Sequence, residues 1–270
     1  IQQIFDRLFQ VTGGYMSKNS KGLTLLVFGQ DFEGPYIPSS DGVYTEQVRR
    51  FYIKNTCGNL SFTEEESFPE IQDPNYRRRD LNVVPIVLKS CGCLQKSFVA
   101  LSGVFTPDVG IWTVPVFISN NGVPFMRDPL DSNTFKQGMN NYVSATIGLF
   151  SAKENLSYTI LLGGISYEFF QNGIFQTDLE FPFINQITTI QIDEEHNCRQ
   201  FLMNAEYPVI LSTGSNPGNP FLFGAGAVFI PSKCLPKYQN DVITFDSIKN
   251  ERVFLGYIVG GIASTLPNTN

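Results

Sequence analysis

Three consecutive arginines are the side chains of this sequence best suited to bind a charged ligand. Arg77, Arg78 and Arg79 are followed by Asp80 and, two residues later, by Asn82. Guanidinium groups bind carboxylates and phosphates through pairs of parallel hydrogen bonds, so the cluster predicts a site for an anionic ligand. The alternative is that these arginines pair with acidic residues of neighbouring segments and hold those segments together.

A second polar group precedes another apolar segment of the chain. It consists of Gln137, Asn140, Asn141 and Tyr142. If both groups lie at the starts of neighbouring strands, their guanidinium, amide and phenol groups lie at one level and form the polar wall of a ligand site. The alternative is that the asparagines hydrogen-bond the backbone of turns, a frequent role of this residue.

Residues suited to catalysis are sparse. His196 is the only histidine, and no Gly-x-Ser-x-Gly motif accompanies it, so we expect a surface role for its side chain. One histidine and five cysteines without a Cys-x-x-Cys pair predict no metal site, and no motif predicts a cofactor. Glycoside hydrolysis requires two carboxylates, and four acids near expected strand starts are candidates. These acids are Asp80, Asp128, Asp131 and Glu206.

The composition predicts an all-β protein. Charged residues make up 16% of the 270 residues, whereas the chain contains 24 Phe, 11 Tyr, 23 Gly and 16 Pro. This balance is typical of small sheets around an aromatic core with frequent turns. No linker-like segment interrupts the chain, so we expect residues 1–270 to form one domain.

Charge and hydropathy restrict the partners. A net charge of −6 argues against nucleic acid, and no apolar run is long enough to span a bilayer. The sequence begins with Ile1 rather than Met. A leader cleaved from a secreted or periplasmic protein would explain this start, and so would trimming from a longer chain.

Five short apolar runs that end in glycine organise the chain. Each is too short for a helix and predicts a buried core strand whose end turns tightly. The runs are residues 25–29, 99–103, 158–166, 221–224 and 257–261. An alternating strand is expected after each of the first four. These strands are residues 43–53, 110–118, 185–192 and 240–248. The acidic residues 63–74 are expected to form an exposed connection between units.

The repetition of such units is typical of a β-propeller with about four strands in each blade. A core strand that ends in paired glycines, as at Gly163-Gly164 and Gly260-Gly261, and is followed by an alternating strand resembles the kelch-type repeat. The sequence is also similar in character to uncharacterised bacterial protein families, a likeness that implies no function. The five core strands imply five blades, and the resemblance implies that these blades are kelch-like. A β-sandwich is the alternative architecture.

The two ends of the chain are expected to meet in one blade. Residues 2–9 look like residues 185–192, the alternating strand of the third unit. The last unit lacks such a strand, so we expect the N-terminal residues 1–11 to form it and close the ring of blades.

A binding or scaffold protein is the function we expect from this reading. The ligand would lie at the mouth of a central tunnel or on the loops between strands, and it would be a small molecule, a glycan or a protein. The alternative is a glycoside hydrolase or a related tunnel enzyme, which would require two carboxylates that face each other across the tunnel.

Overall fold

The computed structural model describes residues 2–35, 42–108, 110–214, 216–249 and 252–266. These residues form nineteen β-strands, three short 3-10 helices and no α-helix, so the predicted all-β class is confirmed. The first ten strands are β1 (Tyr15–Lys18), β2 (Thr24–Val27), β3 (Gln30–Asp31), β4 (Val43–Tyr44), β5 (Val48–Thr56), β6 (Asn59–Phe68), β7 (Asn82–Ser90), β8 (Cys93–Leu101), β9 (Val116–Ser119) and β10 (Pro124–Met126). The remaining strands are β11 (Ala145–Ser151), β12 (Leu156–Ile165), β13 (Glu168–Gln171), β14 (Ile174–Thr177), β15 (Phe183–Ile192), β16 (Cys198–Glu206), β17 (Ala227–Pro231), β18 (Ile243–Thr244) and β19 (Gly256–Gly260).

Three antiparallel sheets follow one another along the chain, and each is a meander of four strands. Unit 1 has the strand order β1-β2-β5-β6, unit 2 the order β7-β8-β9-β10, and unit 3 the order β11-β12-β15-β16. In unit 3, β18 adds a parallel strand beside β11. Unit 4 is the pair β17-β19. The hairpins β3-β4 and β13-β14 lie outside these sheets.

The apolar runs of the sequence correspond to the second strand of each unit. Residues 25–29, 99–103 and 158–166 fall on β2, β8 and β12, and residues 257–261 fall on β19. The alternating strand expected at residues 185–192 is confirmed, because it lies within β15. The other two are present only in part: residues 43–53 contain β4 and the first part of β5, and of residues 110–118 only 116–118 lie in a strand, β9. Residues 240–248 instead contain the two-residue strand β18 and the 3-10 helix Phe245–Ser247.

A backbone bridge marks the start of the first strand in every unit. It pairs a residue that precedes this strand with the last residue of the second strand or with a residue that follows it. The four bridges are Thr12 with Gln30, Arg79 with Val104, Tyr142 with Ile165 and Leu222 with Ser264. The segment 221–224 therefore belongs to the start of unit 4, and its interpretation as a core strand of a separate unit is wrong. The described residues contain strands for four units, rather than the five expected.

Two successive residues in the left-handed region lie at the end of each second strand, among its last three residues or directly after it. The φ angles are 53° and 88° at Phe28 and Gly29, and 61° and 102° at Gly163 and Gly164. The same pairs occur at residues 102–103 and 260–261. A Cβ atom at Gly29 would lie 2.6 Å from the Val11 side chain and 2.7 Å from the Gly14 nitrogen, so glycine is required here by close approach as well as by φ.

The N-terminal segment contains no strand before β1 among its described residues, so the predicted N-terminal strand is wrong. Residues Arg7–Phe9 form a 3-10 helix, capped by Asp6, whose side chain accepts a hydrogen bond from the Leu8 nitrogen at 2.9 Å. The Phe9 ring packs edge-on against Phe51 of unit 1, with ring centroids 5.0 Å apart. This segment covers unit 1, whereas β19 pairs with β17. The expected closure of a ring by the N-terminal strand is therefore absent from the described residues.

Unit 2 lies between units 1 and 3, and both faces of its sheet are covered. On one face, Phe98 shares a hydrophobic cluster with Leu25 of unit 1. On the other face, Val99 shares a cluster with Ile190 of unit 3. Successive residues of a strand point to opposite faces, so one strand contributes to both clusters. A two-layer sandwich would leave one face of each sheet open, and it therefore does not account for unit 2.

Replacing Gly29 by alanine should destabilise the protein more than the same change at an open left-handed glycine. Gly92 is the matched control, because its φ is +79° but nothing lies within 4 Å of an added Cβ. We expect Gly92→Ala to cost about 1 kcal/mol from backbone strain alone, and Gly29→Ala to cost at least about 2 kcal/mol more. Urea unfolding measures both values, and equal losses would contradict the close approach at Gly29.

Candidate functional site

The first strands of all four units line one cavity of about 420 Å³, which we call the inner-strand cavity. Strands β1, β7, β11 and β17 contribute its wall, together with part of β8 and the segment 239–243. Its polar side chains include Tyr15, Ser17, Lys18, Asn19, Ser20, Lys96, Ser97, Asn120, Ser144, Thr146, Gln239, Asn240 and Asp241. A volume of this size is typical of sites for small molecules.

Positive charge predominates among the ionisable groups that line the inner-strand cavity. The Lys18 ammonium forms no hydrogen bond or ion pair with any described residue, and the Lys96 ammonium donates a hydrogen bond to the neutral amide of Gln239. The carboxylate of Asp241 lies 2.7 Å from the Lys237 ammonium, which neutralises it. The cavity therefore offers two ammonium groups that no described carboxylate neutralises, in a chain whose net charge is negative.

Two further groups of the cavity can contact a polar ligand. Asn240 donates through Nδ2 to the Ile86 carbonyl at 3.1 Å, while its buried Oδ1 accepts no hydrogen bond from the described residues. Burial raises the pKa of the Tyr15 phenol, so this group stays protonated and can donate a hydrogen bond at neutral pH. An acceptor and a donor thus accompany the two ammonium groups.

Arg78, the central residue of the arginine cluster, is fully buried at the junction between units 1 and 2. Its Nη1 donates to the carbonyls of Ser102 and Val114, both at 3.3 Å, and the guanidinium lies 4.4 Å from the centroid of the Trp112 ring. No described carboxylate pairs with it. Burial lowers the pKa of Arg78 to about 9, an effect that the nearby Tyr76 partly opposes. Arg78 therefore acts as a buried donor to backbone groups of unit 2.

The two flanking arginines also contact protein groups. Arg77 donates through Nη1 to the Phe105 carbonyl at 2.7 Å, and its guanidinium lies 4.0 Å from the centroid of the Tyr44 ring. The Nε atom of Arg79 lies 3.6 Å from Oδ2 of Asp80. Arg79 thus pairs with the carboxylate of the residue that follows it.

The amide group predicted beside the arginines forms a buried network around Ser102. Gln137 accepts from the Ser102 nitrogen at 2.8 Å and donates to its hydroxyl at 3.0 Å. The Asn141 carbonyl accepts from the Ser102 hydroxyl at 2.6 Å and from Nδ2 of Asn82 at 2.7 Å. Because Arg78 donates to the Ser102 carbonyl, the structure does bring the two predicted groups together. They meet inside the protein.

The remaining predicted residues are engaged in the same region. Asn140 accepts through Oδ1 from the Tyr167 nitrogen at 3.1 Å. Tyr142 forms the backbone bridge of unit 3, and burial is the main cause that raises its pKa, with the charge of Asp80 as a second cause. None of the nine predicted residues lines the inner-strand cavity. Their contact with a ligand stays a prediction.

The candidates for acid catalysis lie apart from the inner-strand cavity. Asp128 and Asp131 each accept a hydrogen bond from a backbone nitrogen two residues later, at 2.8 Å and 2.9 Å. Both line a shallow pocket that also includes His196. The His196 ring is half-buried and packs edge-on against Phe117, with centroids 4.3 Å apart. Glu206 is exposed at the end of β16.

Within the described ranges, His, Cys, Asp and Glu side chains form no group of three that could hold a metal ion. No described helix has the length and apolar character needed to cross a bilayer.

Comparisons with protein families and with curated protein sequences found no relative of this chain. No protein family profile matches the chain, and no curated protein sequence matches it significantly.

Replacement of Arg78 by alanine should destabilise the fold. The change leaves a cavity and removes the donor to two buried carbonyls, so we expect a loss of about 3 kcal/mol in the free energy of unfolding. Arg199 is exposed on β16 and is the matched control, for which we expect a change within about 0.5 kcal/mol. Urea denaturation followed by tryptophan fluorescence measures both. Equal stability of the two variants would show that the buried contacts of Arg78 contribute nothing.

The single histidine allows a clean pH measurement. Burial lowers the pKa of His196 below its usual value of 6.5, and the charge of Arg127 lowers it further. The folded state thus resists protonation, so this group's contribution to stability is lost as pH falls below about 6.5. An NMR titration of the imidazole protons should give a midpoint below 6.5, and Arg127→Gln should raise it. A midpoint at or above 6.5 in the unmodified protein would contradict this environment.

Proposed function

We propose that the four units are blades of a β-propeller and that the chain is a binding module for a small polar anion held in the inner-strand cavity. Three observations support the arrangement. Each of units 1–3 is a four-stranded meander, unit 2 is covered on both faces, and the first strands of all units line one cavity. A radial array of sheets explains all three, because only the first strands then face the axis.

Repeated backbone contacts between units support the same arrangement. The Asp80 nitrogen donates to the Gly13 carbonyl, and the Gly226 nitrogen donates to the Val143 carbonyl, both at 2.7 Å. In each case the two residues belong to adjacent units and lie just before their first strands. Units 1 and 2, and likewise units 3 and 4, are therefore joined by the same kind of contact at the inner edge, as expected for blades with a common axis. The kelch-like character of the blades stays a prediction.

The pair of lysines without a carboxylate partner is the observation that carries the proposed function. An ammonium group in a concave, partly desolvated site attracts an anion more strongly than one on an open surface. Lys18 and Lys96 lie on strands of different units, so a ligand that contacts both spans the cavity. The rings of Phe98 and Phe229 provide apolar wall. A sugar acid or a hydroxy acid combines the negative charge and the hydroxyl groups that this lining can accept.

The cavity gives little support to the alternative, glycoside hydrolysis. Among its described lining residues, Asp241 is the only carboxylate, and it pairs with Lys237. Both the retaining and the inverting mechanisms require two carboxyl groups on either side of the bond that breaks. Binding without turnover is therefore the function that we propose.

Calorimetric titration with glucuronate, phosphate and glucose tests this proposal. Glucuronate should bind more tightly than neutral glucose, and the affinity should fall as salt screens the lysines. The double change Lys18→Met and Lys96→Met should weaken glucuronate binding at least about tenfold, equivalent to 1.4 kcal/mol. Lys21→Met is the matched control, because Lys21 lies in the turn that follows Lys18 and outside the cavity lining. Equal binding of glucose and glucuronate, or an unaffected double variant, would overturn the proposal.

A further inference from the structure

Two exposed thiols lie at the tip of the hairpin that joins β7 and β8. Cys91 and Gly92 form its two-residue turn, and Cys93 is the first residue of β8. Both cysteines are exposed, and neither forms a disulfide. Neither lines the inner-strand cavity. Their exposure makes both sulfur atoms accessible to a ligand from the solvent.

The geometry of this turn brings the two thiols close to each other. The φ angles of Cys91 and Gly92 are 50° and 79°, as in the type I′ turn that is typical of two-residue hairpins. Register pairs Ser90 directly with Cys93, and side chains paired in this way lie on one face with Cβ atoms about 5 Å apart. The Sγ atom of Cys91 lies 4.0 Å from Oγ of the same Ser90. Both thiols therefore border one serine side chain, and rotation about χ1 can bring both sulfur atoms onto one metal ion.

The hairpin that carries these thiols is held in place by a neighbouring turn. Asn155, in the turn before β12, donates through Nδ2 to the Lys89 carbonyl at 3.3 Å and to Oε2 of Glu194 at 2.8 Å. The ladder between β7 and β8 continues without a register shift up to the turn. A metal ion that binds at this tip therefore meets an ordered backbone, and less conformational freedom is lost on binding.

We propose that Cys91 and Cys93 form a two-coordinate binding site for Cu(I). Soft thiolate ligands select Cu(I), and this ion accepts two sulfur ligands in a nearly linear arrangement. On binding, the two thiols release two protons and two sulfur–copper bonds form, so the complex of two thiolates and one Cu(I) carries one negative charge. The copper enters as Cu(I), and no electron is transferred. This inference does not depend on the ligand of the inner-strand cavity.

Zinc suits this pair of thiols less well than Cu(I). Structural zinc sites have four nitrogen or sulfur ligands, and the described part of the chain has no group of three His, Cys, Asp or Glu side chains that could hold a metal ion. The lack of a Cys-x-x-Cys pair, from which the sequence predicts no metal site, concerns ions with that coordination. A two-coordinate ion requires only the two thiols that are present.

The hairpin that joins β5 and β6 has the same turn with a single thiol. Cys57 and Gly58 have φ angles of 49° and 88°, and register pairs Thr56 with Asn59. Asn59 therefore takes the position that Cys93 takes in the other hairpin. This second turn is both a matched control and a place where the site can be rebuilt.

Anaerobic titration of the reduced full chain with Cu(I), in competition with the chelator bathocuproine disulfonate, tests this inference. We expect the chain to retain a single Cu(I) and to show the ultraviolet absorption of a copper–thiolate bond. Cys91→Ser and Cys93→Ser should each weaken Cu(I) binding at least about a hundredfold, because a single thiolate loses the advantage of chelation. Cys57→Ser is the matched control and should leave Cu(I) binding unchanged.

Rebuilding the site on the other hairpin tests the geometry of the turn. Asn59→Cys, in a chain that also carries Cys91→Ser and Cys93→Ser, should restore Cu(I) binding, because it gives the Cys57 turn a second thiol at the equivalent position. Circular dichroism and thermal unfolding establish that all variants fold. Failure to restore Cu(I) binding in a folded variant would contradict the turn geometry as the basis of the site.

Three further results would overturn the proposal. The first is Cu(I) binding of undiminished affinity in the chain that carries both Cys91→Ser and Cys93→Ser. The second is an equal loss of affinity in Cys57→Ser, because it would show that Cu(I) binds isolated thiols without preference. The third is a dimer that Cu(I) induces in size-exclusion chromatography, because the two sulfur ligands would then come from different copies of the chain.

Discussion

Buried backbone carbonyls at the ends of the second strands are the constraint on which the rest of the structure depends. Two left-handed residues turn the chain there, and the carbonyl of the first cannot join a regular ladder. In unit 2 the guanidinium of Arg78 donates to this carbonyl, at Ser102, and in unit 3 the side chain of Asn141 donates to the equivalent carbonyl of Gly163. Each donor lies immediately before the bridge residue of its unit.

This arrangement explains why so many polar side chains are buried in a protein with few charges. Arg78, Gln137, Asn140 and Asn141 are all buried, and all bond to backbone groups at the ends of second strands. Arg78, Asn140 and Asn141 fix the turn of their own unit, whereas Gln137, which precedes unit 3, accepts from the Ser102 nitrogen and joins this segment to unit 2. The inner-strand cavity is formed by the strands that start from these junctions, and its shape therefore depends on them.

The sequence predicts the interior of the fold better than its edges. The second strands of units 1–3 were predictable because an apolar run closed by glycine is a strong local signal. Strand β1 was missed because three of its four residues are exposed and none of its side chains is fully buried. Strand β6, expected as an exposed connection, carries three glutamates because it is an outer strand whose charges oppose further pairing.

The candidate site was predictable only in part, for a different reason. The arginines and amides were recognised as unusual, and the structure does bring them together, but chain position does not tell whether a polar group faces a ligand or a buried carbonyl. Lys18 and Lys96 carry no local signal, because surface lysines are common. The two lysines become candidate ligand contacts only because the strand order places β1 and β8 in the wall of the same cavity.

The unequal cover of the four sheets has a consequence for cooperativity. Unit 2 is held on both faces, whereas unit 4, within the described residues, contributes two strands that pack against unit 3. In an array of this kind, the local free energy of opening is lower for a unit with fewer packed neighbours. The cavity requires β17 for its wall, so molecules in which unit 4 has opened retain most of their structure and lose the cavity. A ligand bound in the cavity would stabilise unit 4, so that unit 4 and the other units would unfold in a single transition.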